Sequence, residues 1–319
     1  MKTEKNKKLI SLAVAAVVTG SIAAPAMAVL EEVVVTATKR EQTLQDIPVS
    51  IQAISGEFVD EFNMTDIQDI AGTVPNVIIG YGITAQSVNI RGLGAGQDRS
   101  FEQSVGMFID GVYLPRSRQY RNPFFDIERV EIMRGPQSVV HGLNSTAGAI
   151  SVLTRRNEGG DPFEASIMAD TELEYGGYGV TATAGGGLTD SFGLRAAVRA
   201  SDYDGFMVNN VNGAESTRED MLVRLNAVWN VSDRVTVTGK LETSEYESSL
   251  SVGEIYGGVS QLIEPNDGIL NWQHAADEST IDIFGILPVA EPGIESQYDL
   301  YSLGLEWELG NNRIDVLVA

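Results

Sequence analysis

The chain has 319 residues, 22 basic and 44 acidic side chains, a formal net charge of −22 and a hydrophobic fraction of 43%. That length suits two ordinary domains, and that apolar content is too high for a disordered chain. With no cysteine, disulfides, thiolate metal sites and cysteine nucleophiles are excluded. The two histidines, His141 and His274, lie far apart, which argues against a histidine-based metal or catalytic cluster.

The acidity is uneven. Residues 29–157 hold 15 acidic and 11 basic side chains, whereas 158–319 hold 28 and 7, a net of −21. Such a surface repels nucleic-acid phosphates, so no nucleic-acid partner is expected. The asymmetry points to two regions in different surroundings.

In chain order, Lys2, Lys5, Lys7 and Lys8 precede an apolar stretch from Leu9 to Ala24, and Ala26-Met27-Ala28 supplies small residues for cleavage. This predicts a secretory signal peptide over 1–28. A membrane anchor is the rival reading; the cleavage motif and the lack of a later apolar run of about 18 residues favour cleavage. Removing 1–28 takes away four lysines and one glutamate, so −22 becomes −25.

Glu31-Glu32-Val33-Val34-Val35-Thr36-Ala37-Thr38 favours an extended strand. It is either an ordinary first strand or one that adds to the edge of another protein's sheet. Residues 48–54 alternate as a short strand, and 56–73 read as helical, with Thr65 as N-cap, Gln68 completing a capping box, and Val74-Pro75-Asn76 as the stop. Strands are expected at 87–92, 105–111, 127–134 and 148–154, with a short helix starting at Gly135-Pro136. Strands interleaved with short helices predict a small mixed sheet of the α+β class.

Several of these segments carry a resemblance. Glu32-Val33-Val34-Val35-Thr36-Ala37 resembles the TonB box. Ile90-Arg91-Gly92, Phe108-Ile109-Asp110-Gly111-Val112-Tyr113, Ile127 to Ser138, and His141 to Ile150 resemble, in order, the plug motifs of TonB-dependent outer-membrane receptors. The match covers essentially all of 31–156. It implies a TonB-box segment at 29–40 and a plug domain at 41–157. It also implies that Glu32, Val33, Val34, Val35, Thr36 and Ala37 bind a TonB-type periplasmic energy-coupling protein by strand addition. Arg91 and Arg134 are implied to meet carboxylates on an inner barrel wall. Glu128 and Glu131 are plug–barrel contacts on the same reading, or pairs within the plug sheet together with Arg129. Loops at 79–86, 94–102 and 114–121 are implied to face a small-molecule ligand and offer Tyr81, Gln86, Gln97, Asp98, Arg99, Arg116, Arg118 and Tyr120. Solvated loop polarity is the plainer account of each.

Residues 158–319 alternate at period two. Phe192, Leu194, Ala196, Val198 and Ala200 oppose Gly193, Arg195, Ala197 and Arg199; Tyr301, Leu303, Leu305, Trp307 and Leu309 oppose Ser302, Gly304, Glu306 and Glu308. Strands are expected near 163–175, 178–188, 192–203, 219–230, 235–245, 297–309 and from 313. Tight connections near 189–191, 231–234 and 310–313 alternate with long ones at 204–218 and 246–296, as in an outer-membrane barrel. Gly176-Gly177 breaks that trend. A soluble β-sandwich shows the same alternation and is the alternative. Large transporters close at about 22 strands, so 158–319 is expected to be an incomplete barrel and the chain a fragment or truncated product.

The resemblance implies active uptake across the Gram-negative outer membrane of a ferric siderophore, cobalamin or carbohydrate, in contact with lipid and lipopolysaccharide, with no cofactor, metal site or catalysis of its own. The nine carboxylates and no cation of 246–296 sit poorly with strongly anionic ferric chelates. An enzyme is disfavoured: Gly92, Gly94 and Gly96 are followed by no Gly-Lys-Ser/Thr, and no Gly-x-Ser-x-Gly occurs. A passive porin lacks a plug, and a truncated product would not transport. N-terminal sequencing of the exported protein should begin at Val29; a start at Met1 would mean that the apolar segment is a retained anchor.

Overall fold

A computed structural model describes residues 34–35, 42–43, 49–81, 86–95, 103–121, 124–142, 144–208, 215–248, 294–310 and 312–319. The chain divides into two compact units, Met1–Val34 and Val35–Ala319. The expected signal peptide and most of 29–40 lie outside the described residues. Two-residue strands are formed by β1 (Val34–Val35) and β2 (Gln42–Thr43).

Strand β3 (Ser50–Ser55) leads directly into α1 (Gly56–Glu61), whose first turn is capped by the Ser55 hydroxyl accepting from the Phe58 N–H. The single helix expected over 56–73 is broken. Asn63 takes a left-handed backbone at φ +46°, and α2 (Ile67–Thr73) starts afresh. Its N-cap is Asp66 rather than Thr65, and the reciprocal partner is Asp69 rather than Gln68. Asp66 accepts from the N–H groups of Gln68 and Asp69, at 2.8 and 3.1 Å, and Asp69 accepts from Thr65 and Asp66. A carboxylate outcompetes a hydroxyl for these donors because it is charged and lies at the positive end of the helix.

The hairpin of β4 (Val77–Tyr81) and β5 (Gln86–Ile90) follows; β4 was not expected from the sequence. Next come β6 (Val105–Ile109) and β7 (Val112–Tyr113), joined by Asp110-Gly111 with φ of +48° and +83°. Two positive-φ residues make the tight turn whose twist suits a hairpin, and Asp-Gly is suited to it. A 3₁₀ helix spans Ser117–Arg121. After β8 (Ile127–Arg134), α3 (Ser138–His141) is capped at Gln137, so Pro136 precedes the helix instead of occupying its first turn. Strand β9 (Gly148–Thr154) completes a mixed sheet of order β3-β8-β9-β6-β7, in which only the β6–β9 pair is parallel. One sheet face buries Ile54, Met107, Ile109, Val130, Ile132 and Ile150 against Val59, Ile67 and Ile70 of the helices. The other carries Ile51, Phe108, Met133 and Ala149.

A second sheet holds β10 (Glu164–Thr171), β11 (Gly177–Thr189), β12 (Phe192–Val208), β13 (Glu215–Ser232), β14 (Val235–Ser248), β15 (Ile294–Leu309) and β16 (Asn312–Val318), antiparallel and in chain order. Its edges, β10 and β16, do not pair with each other, so the sheet is open. Strands β12 and β13 run beyond the expected limits at 203 and 219, since Asp204 pairs with Thr217 and Val208 with Glu215. The backbone ladder continues where apolar alternation has stopped. The short connection after β10 is closed by the Glu172 carboxylate, which accepts from the N–H groups of Glu174, Tyr175 and Gly176.

The sidedness of this sheet decides between the two architectures. Met221, Val223, Trp229, Leu241, Tyr301 and Leu303 are exposed, whereas Arg195, Arg199, Asp220, Arg224, Lys240 and Glu242 are buried. A soluble sandwich buries the apolar set; a lipid-embedded wall turns it outward. Among the described residues no helix is long and apolar enough to cross a membrane, and these strands are the elements built to do so.

The two sheets are joined by residues 155–163, which lie flat on β11 and β12. Gly187 N–H donates to the Asp161 carbonyl and Gly160 N–H to that of Thr189, both at 3.0 Å. A Cβ at Gly187 would stand 2.3 Å from the Gly160 nitrogen, and one at Gly193 2.1 Å from the Asn157 carbonyl oxygen. Gly187→Val should lift this connection at a cost of about 1–3 kcal/mol. The check is a lower unfolding midpoint together with new protease cleavage inside 155–163.

Candidate functional site

The first sheet is docked on the inward face of the second through buried ion pairs and through apolar contacts, in which Phe125 packs with Ala197 and Leu222, and Tyr298 and Leu300 of β15 join the core of the first sheet. Asp126, at φ +51° just before β8, accepts a two-pronged interaction from Arg195 of β12: Nε at 2.8 Å and Nη2 at 2.6 Å. Arg195 Nη1 also donates to Asn157 Oδ1 at 3.3 Å. Arg224 of β13 donates to the Phe125 carbonyl at 2.7 Å and to Glu242 of β14 at 2.6 Å, with its guanidinium 4.1 Å from the centre of the Phe125 ring. Asn226 Nδ2 donates to Thr154 Oγ1 and the Arg155 carbonyl, at 3.0 and 2.9 Å.

Asp110, in the β6–β7 turn, is the most heavily engaged group. It accepts from Lys240 Nζ at 2.8 Å, from Thr154 N and Oγ1 at 2.9 and 2.7 Å, and pairs with Arg156 at 3.1 Å. Lys240 also reaches Glu242 at 2.9 Å. The side chains of Asp110, Lys240 and Glu242 are only 2–3% exposed. Burial alone would raise the Asp110 carboxyl, but Lys240 and Arg156 outweigh it and hold Asp110 well below the usual carboxylate range. Both aspartates sit in left-handed backbone, which short polar side chains tolerate better than other L-residues.

Arg91 is exposed in the Ile90–Leu93 turn, and Arg134 Nη1 contacts the Pro75 carbonyl at 3.4 Å. Neither makes an ion pair with a carboxylate among the described residues. Glu128 and Glu131 pair with Arg129 on their own strand β8. Across the docking ion pairs among the described residues, the first sheet supplies carboxylates and the wall supplies cations. The alternation had set Arg195 and Arg199 on the face opposite the apolar residues of their strand. No local signal marked Asp126, whose role depends on contacts about seventy residues away in sequence.

The expected ligand residues are dispersed. Tyr120 is a core residue, fully buried with its hydroxyl donating to the Val105 carbonyl at 3.2 Å, so it does not face a ligand loop. Arg116 is exposed, its N–H donating to Gln119 Oε1. Tyr81 and Gln86 end the hairpin strands and Arg118 lies in the 3₁₀ helix, but their side chains are outside the described residues. Gln97, Asp98 and Arg99 also lie outside, as do Glu32, Val33, Thr36 and Ala37. No cluster able to hold a metal ion is found among the described residues.

A small mixed sheet seated by buried ion pairs on the polar face of a lipid-facing wall defines a plugged outer-membrane barrel protein. Comparison with known proteins agrees. The model of the TonB-dependent receptor plug domain matches residues 43–149. The iron-regulated outer membrane virulence protein of Vibrio cholerae is 24% identical over 261 residues, covering 77% of this chain and 39% of that protein. The vitamin B12 transporter BtuB of Vibrio vulnificus is 29% identical over 178 residues, covering 53% of this chain and 28% of its own length. The crystal structure of the ferric yersiniabactin uptake receptor FyuA from Yersinia pestis superposes with a TM-score of 0.63 at 15% identity, over 84% of this chain and 40% of that one. Residues 43–149 are thus a plug domain of the TonB-dependent receptor type, and the chain spans about two fifths of the length of the first of these relatives.

Removing the Asp110 charge leaves buried Lys240 with Glu242 alone, which Arg224 already shares, and takes the carboxylate from Arg156; breaking such a buried network costs about 3 kcal/mol. Because the folded carboxyl is more acidic than an unfolded one at about 3.9, its contribution is full above that pH and lost as pH falls through the depressed value. Asp110→Asn should therefore be destabilised at neutral pH, and its denaturation curve should converge with wild type only in strong acid. Parallel curves at every pH would show that the pair contributes nothing.

Proposed function

We propose that this protein is the plug-bearing part of an energy-coupled receptor that takes up a scarce nutrient across the outer membrane. The observation that carries this reading is the folded plug on the polar face of an outward-apolar wall, an arrangement that closes a lumen and must yield before anything passes. The TonB-box-like run Glu32 to Ala37 supplies the means: Val34–Val35 is already extended, and an extended terminal segment can be gripped by strand addition to a coupling protein's sheet edge. The coupling protein pulls from the periplasm, and lipid and lipopolysaccharide surround the wall.

A ferric chelate is the ligand class we place first. One similar protein is described as iron-regulated and another as a ferric yersiniabactin receptor. Cobalamin comes second, from the relative described as a vitamin B12 transporter. Exposed Arg116, at the edge of the plug, suits an anionic or planar chelate.

Proline removes a ladder donor and resists strand pairing. Val35→Pro in the full-length gene product should abolish uptake of the cognate ferric chelate while leaving its equilibrium binding to intact cells within about twofold. Uptake that survives Val35→Pro would sink the coupling role of this segment.

A further inference from the structure

The charges on β12, β13 and β14 are sorted by face. Inward stand Arg195, Arg199, Arg218, Arg224 and Lys240, with only two carboxylates, Asp220 and Glu242. These five are most of the seven basic residues in 158–319. Outward on the same strands stand Asp202, Asp204, Glu219, Glu245 and Glu247, with no cation among the described side chains. The inward face thus has three positive charges in excess, and three plug aspartates meet it: Asp66 at 3.7 Å from Arg218, Asp110 at 2.8 Å from Lys240 and Asp126 at 2.6 Å from Arg195.

Arg199 is the exception that shows what the track can take. It is 2% exposed and lines a small cleft between plug and wall with Asn63, Thr65, Phe125, Asp126 and Thr181. Its Nη1 donates to Thr181 Oγ1 at 3.0 Å and lies 3.7 Å from Asp170, but its Nε has no hydrogen-bond acceptor among the described residues. A buried guanidinium with an unused donor is suited to a carboxylate, phenolate or phosphate oxygen.

We propose that the inward face of β12–β14 is a track of fixed cations for an anionic ligand, and that Asp66, Asp110 and Asp126 are its resident counter-ions while the plug is seated. The proposal rests on the uptake reading above and sharpens its substrate class, since a neutral cobalamin gains nothing from such a track. Withdrawing the plug removes three carboxylates from low-dielectric pairs and leaves their cations uncompensated, which is costly. An anionic ligand entering along the wall restores the pairing, so plug release and ligand entry become an exchange of counter-ions.

The test is ion selectivity of the full-length gene product in a planar bilayer, under a KCl gradient, with urea added to displace the plug sheet from the membrane-embedded wall. Arg195→Gln/Arg199→Gln/Lys240→Gln should lower the chloride-to-potassium permeability ratio about threefold or more, as expected when fixed charge is removed from a focused field. Arg195→Lys/Arg199→Lys/Lys240→Arg should leave it unchanged, and so should the outward pair Asp202→Asn/Glu247→Asn. If the triple neutralisation fails to insert, Arg199→Gln, which pairs with no plug carboxylate, carries the same comparison with a smaller shift. A pore whose selectivity ignores these cations would overturn the track and leave the uptake reading standing. No urea-dependent current from any form would remove both.

Discussion

A charged side chain taken out of water must find a counter-charge, and this structure depends on how that demand is met. The wall buries arginines and a lysine on a surface that has no bulk water beside it while the plug is seated. Each requires hydrogen-bonded neutralisation, because an unpaired buried ion costs far more than a paired one. Asp110 and Asp126 satisfy it from turns rather than from strands. Position and orientation of the plug follow: an aspartate in a left-handed turn reaches only a short distance, so docking is set to within a hydrogen-bond length. Hydrophobic burial builds the plug itself, through the cluster around Ile132 and Ile150, and it extends onto the wall at Tyr298, Leu300, Ala197 and Leu222, but it is the short-range ion pairs that set the register of the contact.

The wall obeys the same constraint from its other side. Lipid accepts apolar side chains and leaves every backbone polar group to be satisfied within the protein. Long antiparallel ladders do that, and alternation sends Leu303, Leu305 and Trp307 outward. Strands of 17 and 18 residues in β12 and β13 exceed the 9–11 needed to cross the hydrocarbon. The surplus carries the outward carboxylates, which an apolar layer would reject.

Much of this was legible in the chain. Period-two alternation was clearest in β12, β13 and β14, because each buries a single face and a register slip would invert it. The order of plug strands was readable from glycine turns and from the motifs of the resemblance. The helix over 56–73 was over-extended because apolar spacing continues through Phe62 and Met64, while the decisive event is a backbone reversal at Asn63 and a new cap at Asp66. Strand β4 escaped notice since Val77-Ile78-Ile79 is short and lacks alternation. Tyr120 was misplaced for a related reason: a tyrosine in a polar loop reads as surface, yet its ring fills the core and its hydroxyl is satisfied by one carbonyl. The ion pairing at the docking face was not readable at all, since Asp126 and Arg195 are brought together only by the packing of two sheets.

The position of β3 at the edge of the plug sheet carries a mechanical consequence. It is bonded to β8 alone, whereas β9 lies between β8 and β6 and continues directly into the connection pinned on the wall. A force entering from the N-terminal side meets a single ladder of six residue pairs first. Stripping β3 uncovers Ile54 and loosens α1, while Asp110, Asp126 and Asn157 still fasten the remaining strands. The plug is therefore graded in strength along the chain, weak at β3 and strong where it is tethered, so a pull from the N-terminal side would strip β3 before it freed the strands fastened to the wall.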